Sequence, residues 1–208
     1  NGTQIRADTQ SAAPAGDITF SVGTLTTQAG VNRVQLNPDD SFNITGNLIA
    51  SDSRGSDAGA GPAGKVTIQG IGGLGTAATS VSLKDSTIST RVFGGTADTI
   101  PATVNMTADT VVLSNEVLPD EQGRGAATLV TTSLGAAPAG NIALNVNTLR
   151  VNVNPDGTPI AGARRVFINS PSLDGPAGAI TISGLSTYSA DEAVAFMLSA
   201  MNSSRNCG

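Results

Sequence analysis

The chain has 208 residues, a net charge of −5, no histidine, no tryptophan and one cysteine. The acidic balance and the lack of a clustered basic face exclude a nucleic-acid surface, and the missing histidines remove Ser-His-Asp triads and the usual zinc and haem ligands. With 39% apolar residues but only five Phe and one Tyr, the interior must be built from Val, Ile, Leu, Ala and Thr, with Gly and Pro as punctuation between apolar runs.

In chain order, "IRADTQSAAPAG" (Ile5 to Gly16) matches "VTTSLGAAPAG" (Val130 to Gly140) and reads as the tail of a preceding unit, so the sequence begins mid-repeat. Pro-Ala-Gly then recurs at Pro14, Pro62, Pro138 and Pro176. Pro suits the position before a strand because it donates no ladder hydrogen bond, and Gly takes the angles of a sharp corner. Aliphatic columns repeat every 38 residues: Val66, Val104, Ile142 and Ile180, with Ile68, Met106, Leu144 and Ile182 two positions on. Val92, Val130 and Ile168 form a further column at the same spacing. The repeats are assigned to residues 1–188, as units 14–61, 62–100, 101–137, 138–175 and 176–188. The first is ten residues too long, and "SRGSDAGAG" (Ser53 to Gly61) reads as the extruded loop, which would bring Ile18 onto the Val66 column and Ile44 onto the Val92 column.

Within a unit the apolar residues alternate, as at Ile142, Leu144, Val146 and then Leu149, Val151, Val153, the period of a strand with one buried face. The phase slips at Asn147-Thr148, a bend that keeps both runs facing inward. "NPDDS" (Asn37 to Ser41) and "NPDGTP" (Asn154 to Pro159) are turn signals. Residues 189–208 break the pattern. In "SADEAVAFMLSAM", Ser189 is placed to N-cap a helix with Asp191 and Glu192 in its first turn and Val194, Met197, Leu198 and Met201 at helical spacing. This short helix either caps the repeat or is a loosely held terminus.

The fold expected is all-β, a right-handed parallel β-helix (solenoid) with a short C-terminal helix, each unit forming either one wide coil or two short ones, of which two short coils are favoured. A β-sandwich is the alternative, although it does not explain a constant spacing. No apolar run approaches the roughly 20 residues that span a bilayer, and no signal segment opens the chain, which reads as an internal or C-terminal piece of a longer polypeptide.

The units "PAGDITFSVGTLT", "PAGKVTIQG…VSLKDSTISTRVFGG" and "PAGNIALNVNTLRVN" resemble the glycine-asparagine-isoleucine-threonine repeats of filamentous haemagglutinin-like large exoproteins, the β-helical passengers of two-partner secretion. The resemblance covers nearly all of residues 1–188 and departs from the pattern in the C-terminal helix and in Thr103, where other units have Gly. It implies a secreted or bacterial cell-surface rod used in adhesion or aggregation, with an outer-membrane secretion pore and a host or neighbouring-cell surface, or its glycans, as partners. The alternatives are a carbohydrate-active β-helix lyase or hydrolase and an autotransporter passenger fragment.

For an enzyme, the acidic pairs are Asp39-Asp40, Asp120-Glu121 and Asp191-Glu192. Sequence neighbours point apart in a strand and each pair falls at a turn or helix start, so solvated turns explain them. Asp52, Asp57 and the NPDD and NPDG turns offer oxygens to calcium, but at a spacing that fits neither an EF-hand nor a calcium-binding nonapeptide. "RGSD" (Arg54 to Asp57) has Ser inserted in an integrin-type tripeptide, Arg164-Arg165 reads as an exposed strand position with its neighbour, and Cys207 reads as an exposed thiol near a chain end. Asn1, Asn43, Asn105 and Asn202 lie in glycosylation-type sequences, relevant only in a eukaryotic host. The chain is therefore read as a non-enzyme with no catalytic, cofactor-binding or metal residues to assign.

Overall fold

The computed structural model describes residues 3–28, 33–36, 42–45, 47–115, 129–163, 165–191 and 197–199. All regular structure among them is strand. Six short strands pair side by side in parallel: β1 (Gln4–Arg6), β6 (Asn47–Ala50), β9 (Ser86–Ser89), β11 (Leu129–Val130), β13 (Phe167–Asn169) and β16 (Met197–Ser199). The second parallel sheet has eight strands. β2 (Ile18–Ser21), β7 (Lys65–Gln69), β10 (Thr103–Ser114), β12 (Asn141–Val151) and β14 (Ile180–Ser183) follow one another, while β3 (Thr24–Gln28) and β8 (Ala78–Lys84) continue the ladder beside the second half of β10, and β15 (Thr187–Ala190) does so beside β12. β4 (Arg33–Leu36) and β5 (Phe42–Thr45) form a separate antiparallel pair.

The strands of the larger sheet stack the expected columns. Val66 pairs with Val104, Val104 with Ile142 and Ile142 with Ile180, and Ile68, Met106, Leu144 and Ile182 follow in the same register. Their side chains are buried through the middle of the stack and meet Ile49, Ile88, Leu129 and Ile168 in one aliphatic core. Partners lie a whole unit apart, so the half-unit periodicity of two short coils is not what the chain adopts. Parallel pairing at this offset also sets aside the antiparallel β-sandwich. At Asn147-Thr148 the phase slips as expected, but within one continuous strand: Val146 and Leu149 are both buried and Asn147 between them is exposed.

Three register expectations are corrected. In the smaller sheet, Ile49 pairs with Ile88, Ile88 with Leu129 and Leu129 with Ile168, whereas Val92 bridges Ser53 and Ser133 and Val130 pairs with Ser89 and Asn169. Val92, Val130 and Ile168 are therefore not one column. Loops of differing length precede these strands, so their offsets drift from 38. The segment Ser53 to Gly61 is not extruded either. It stacks between its neighbours, with Gly61 N donating to Ser11 O at 3.0 Å and Gly95 N to Asp57 O at 2.8 Å. The excess lies in the β4–β5 hairpin of the first unit, which takes Ile44 out of the parallel ladders altogether.

The C-terminal helix is also corrected. Ser189 and Ala190 lie in β15 against Arg150 and Val151, and Met197 to Ser199 form β16 against Phe167 to Asn169. The open ladder edges of β12 and β13 outweigh local helix propensity, which is a weak preference beside tertiary pairing. Residues 192–196 and 200–208 lie outside the described residues.

Pro-Ala-Gly recurs because the corners themselves stack. Ala15 N donates to Pro62 O and Ala139 N to Pro176 O, both at 2.9 Å. The Gly is fixed by a buried hydroxyl in the stack: Ser51 Oγ donates to Gly16 O at 2.6 Å, Thr131 Oγ1 to Gly140 O at 2.8 Å and Ser170 Oγ to Gly140 O at 2.5 Å. A Cβ on Gly178 would collide with Gly140 O and Ser170 Oγ. In the third unit Thr103 pairs with Lys65 and Asn141, so the residue at the glycine's station is Ala102 rather than Thr103. There the neighbouring hydroxyl, Thr90 Oγ1, is buried without a hydrogen bond. Gly178→Ala is expected to lower stability by about 2 kcal/mol, read as a reduced urea midpoint; an unchanged midpoint would show that this corner relaxes as freely as the one at Ala102.

Candidate functional site

The larger sheet turns a polar face outward. Opposite the buried columns run Thr19, Thr67, Asn105, Ala143 and Thr181, and beside them Ser21, Gln69, Thr107, Asn145 and Ser183, all exposed or half-buried. The rows come from the same alternation that buries Val66 and Ile68: the intervening residues must face water, and hydroxyls and amides satisfy it without charge. Gln69 Nε2 donates to Ser21 Oγ at 3.0 Å across neighbouring strands. Asn105, one of the glycosylation-type asparagines, is exposed here, while Asn1 and Asn202 lie outside the described residues.

On the other flank, chemistry-bearing side chains converge at one place. Parallel bridges from Thr9 to Ser53 and from Ser53 to Val92 bring the residues just before them, Asp8, Asp52 and Arg91, into line. Asp52 is fully buried. Its Oδ1 accepts from Ser89 Oγ at 2.5 Å and from Arg91 N at 2.8 Å, and its Oδ2 lies 3.2 Å from Arg54 Nη2. Arg54 reaches across to Asp8 Oδ2 at 2.9 Å, and Arg6 approaches the same oxygen at 2.7 Å. The Phe93 ring lies about 6 Å from both the Arg54 and the Arg91 guanidinium, within the range of a cation–π contact. Burial pushes the Asp8 carboxyl up, but the Asp52 N–H and the charges of Arg6 and Arg54 outweigh it and hold the group below its usual range.

This arrangement decides what the cluster can do. A general acid must hold a proton near neutral pH, which needs a carboxyl raised by burial or by a second carboxylate. Here Arg54 bridges the two carboxylates and, with Arg6, holds Asp8 below its usual range, so the pair works as a staple joining three successive units. Asp52, considered above as a calcium ligand, has its oxygens occupied by Ser89, Arg91 and Arg54. Among the described residues no three acidic or Cys side chains converge on a common point. The Arg of "RGSD" is committed to the same ladder.

Of the acidic pairs, Asp191 is described, and its N donates to Val151 O at 3.1 Å as β15 ends. Asp39-Asp40, Asp120-Glu121, Glu192 and Cys207 lie outside the described residues. Asp156 forms the expected turn: the Thr158 hydroxyl and amide both donate to its Oδ1 and hold the carboxyl below its usual range, and Gly157 has a φ of 85°. Arg165 is exposed outside any strand, and Arg164 lies outside the described residues. Sequence reasoning missed the charge ladder because its members are separated by about a unit, and it missed Ile71 and Leu74, which the loop between β7 and β8 leaves 77% and 92% exposed. No protein-family profile, curated protein or solved structure matches the chain.

Proposed function

We propose that this chain is a stretch of right-handed parallel β-helix from a secreted, filamentous haemagglutinin-like exoprotein, and that it serves in surface contact or aggregation. The observation that carries the reading is the unbroken column Ile18, Val66, Val104, Ile142 and Ile180, each paired in parallel with its counterpart one unit on. Such a repeat is extended by adding units, and it presents its outward residues as long rows. Hydroxyl and amide rows of low charge suit contact with a hydroxyl-rich surface such as cell-wall or host glycan. Export through an outer-membrane pore belongs to the same proposal and rests on the resemblance of the repeats.

Among the described residues, the carbohydrate-active enzyme reading has one place to live, the Asp8–Asp52 cluster. It is disfavoured there because Asp52 is sealed from solvent and both carboxylates are bridged by Arg54. Latex beads coated with the chain are expected to attach to cell monolayers or polysaccharide-coated plates more than beads coated with the heat-denatured chain. Attachment no greater than this control would overturn the adhesive reading. Release of new reducing or unsaturated sugar ends from an acidic polysaccharide would favour the enzyme.

A further inference from the structure

We propose that the outward face of the larger sheet binds an uncharged polysaccharide, laid across its strands beside the bend. The inference rests on the reading of the chain as a contact module and names the class of ligand it takes. Besides the two rows already described, a third runs through five strands: Thr24 pairs with Ser80, Ser80 with Thr110, Thr110 with Thr148 and Thr148 with Thr187. All five are exposed or half-buried hydroxyls. Across the three rows no position is charged, and Ala143 alone lacks a hydroxyl or an amide. A soluble surface ordinarily carries about 25–35% charged residues. Here charges stand only beside the rows and in both signs: Asp109 in the bend of β10, Asp17 and Lys65 on one side, Lys84 and Arg150 on the other.

Strand alternation explains why these positions face water, but not why they lack charge. A hydroxyl both donates and accepts, and an amide does so through separate atoms, so the rows can meet sugar hydroxyls in either sense. Neighbouring strands lie about 4.7–4.9 Å apart, so each row repeats these groups at a constant pitch. That suits an extended polymer rather than a compact ligand, which needs a concave pocket. An acidic polysaccharide would find no cation within the rows, and Asp109 would oppose it. A protein partner would find no apolar centre there.

A second observation lies beside the rows. The turn from Gly70 to Thr76 leaves the sheet between β7 and β8 and holds Ile71 and Leu74 77% and 92% exposed. It is a built turn: Gly70 N donates to Thr76 O at 2.8 Å, Gly73 N to Gly70 O at 2.9 Å and Thr76 Oγ1 to Gly73 O at 2.7 Å, with Gly73 and Gly75 at φ of 85° and 86°. Ile71 Cδ1 comes within 3.5 Å of where a Cβ on Gly23 would stand, next to Thr24 of the third row. Two aliphatic side chains fixed in water beside uncharged hydroxyls match a sugar chain, whose C–H faces are apolar and whose edges carry hydroxyls.

Affinity electrophoresis through gels containing a neutral glucan or mannan tests the site. The wild-type chain is expected to be retarded, and added salt should not release it, because no ion pair is involved. Thr110→Lys and Asn145→Asp, of opposite charge, should each weaken retention several-fold. Leu74→Ser, at a side chain the fold does not bury, should do likewise, and Ala97→Lys, exposed in a connection outside the sheet, should bind as the wild type. No retardation by either polysaccharide would overturn the proposal. Retention by alginate alone, strengthened by Thr110→Lys and weakened by Asn145→Asp, would mark an acidic ligand and overturn it too. So would a wild-type chain that self-associates in sedimentation and a monomeric Leu74→Ser, retarded equally, which would assign the turn to a second copy. The adhesive reading fails separately: coated beads that ignore cells while the chain is retarded in glucan would leave the site standing. Beads that attach equally well with Thr110→Lys and in excess glucan and mannan would overturn the site and leave adhesion standing.

Discussion

Ile142→Asp is expected to lower the unfolding free energy by about 5 kcal/mol or more, comparable to the whole stability of a marginal domain. Ile142 is 1% exposed and lies between Val104 and Ile180 in the central column. Truncating a buried Ile alone costs about 2–5 kcal/mol. The carboxyl must in addition be buried unpaired or protonated, since every neighbour in the column is aliphatic. Each strand packs against the one above and below, so the loss should spread to adjoining units and broaden or abolish the cooperative transition. Thermal unfolding followed by circular dichroism checks this. Ile142→Val should cost only about 1 kcal/mol, and Asn145→Asp, three residues on and exposed, should remain within about 0.5 kcal/mol of the wild type. Equal stability of Ile142→Asp and Asn145→Asp would refute the buried column.

Asp52→Ala is expected to cost about 2 to 4 kcal/mol. Breaking a buried ion pair from one side commonly costs about 3–5 kcal/mol, but Arg54 and Arg91 are 33% and 25% exposed and recover some hydration when the carboxylate is lost. What remains is the loss of the acceptor for Ser89 Oγ and Arg91 N. Asp52→Asn keeps one acceptor oxygen and should cost less. The ladder also sets an acid limit. Arg6, Arg54 and the Asp52 N–H hold the folded Asp8 carboxyl below its ordinary range, so its contribution is complete above the unfolded pKa and is lost as pH falls through the folded one. The denaturant midpoint of the wild type should therefore fall more steeply than that of Asp8→Asn below about pH 4. Parallel pH profiles for the two would show that Asp8 takes no part in the staple.

How much of this was legible in the sequence depended on where chain length varies. Val66, Val104, Ile142 and Ile180 could be read because each follows its corner at nearly constant distance. In the smaller sheet, Ile88, Leu129 and Ile168 come after connections of unequal length, and a fixed spacing picked Val92 and Val130 instead. The charge ladder was illegible for the same reason: Asp8, Asp52 and Arg91 become neighbours only once the register is known. "SADEAVAFMLSAM" supports both a helical and an extended reading, and the free edges of β12 and β13 decide between them. The hairpin did leave a signal, the alternation of Val34 and Leu36 and of Phe42 and Ile44 on either side of "NPDD". A constant period instead places Ile44 on the Val92 column.

The whole-unit offset of the larger sheet bears on how such a gene can change. Excising residues 104–141 would set Val66 directly beside Ile142, with every inward side chain still inward. Losing one residue more or fewer would turn the strand's apolar side chains to the solvent. Length in this protein is thus quantised: recombination between neighbouring copies can shorten or lengthen it in whole steps, while small insertions survive only in the connections outside the ladders.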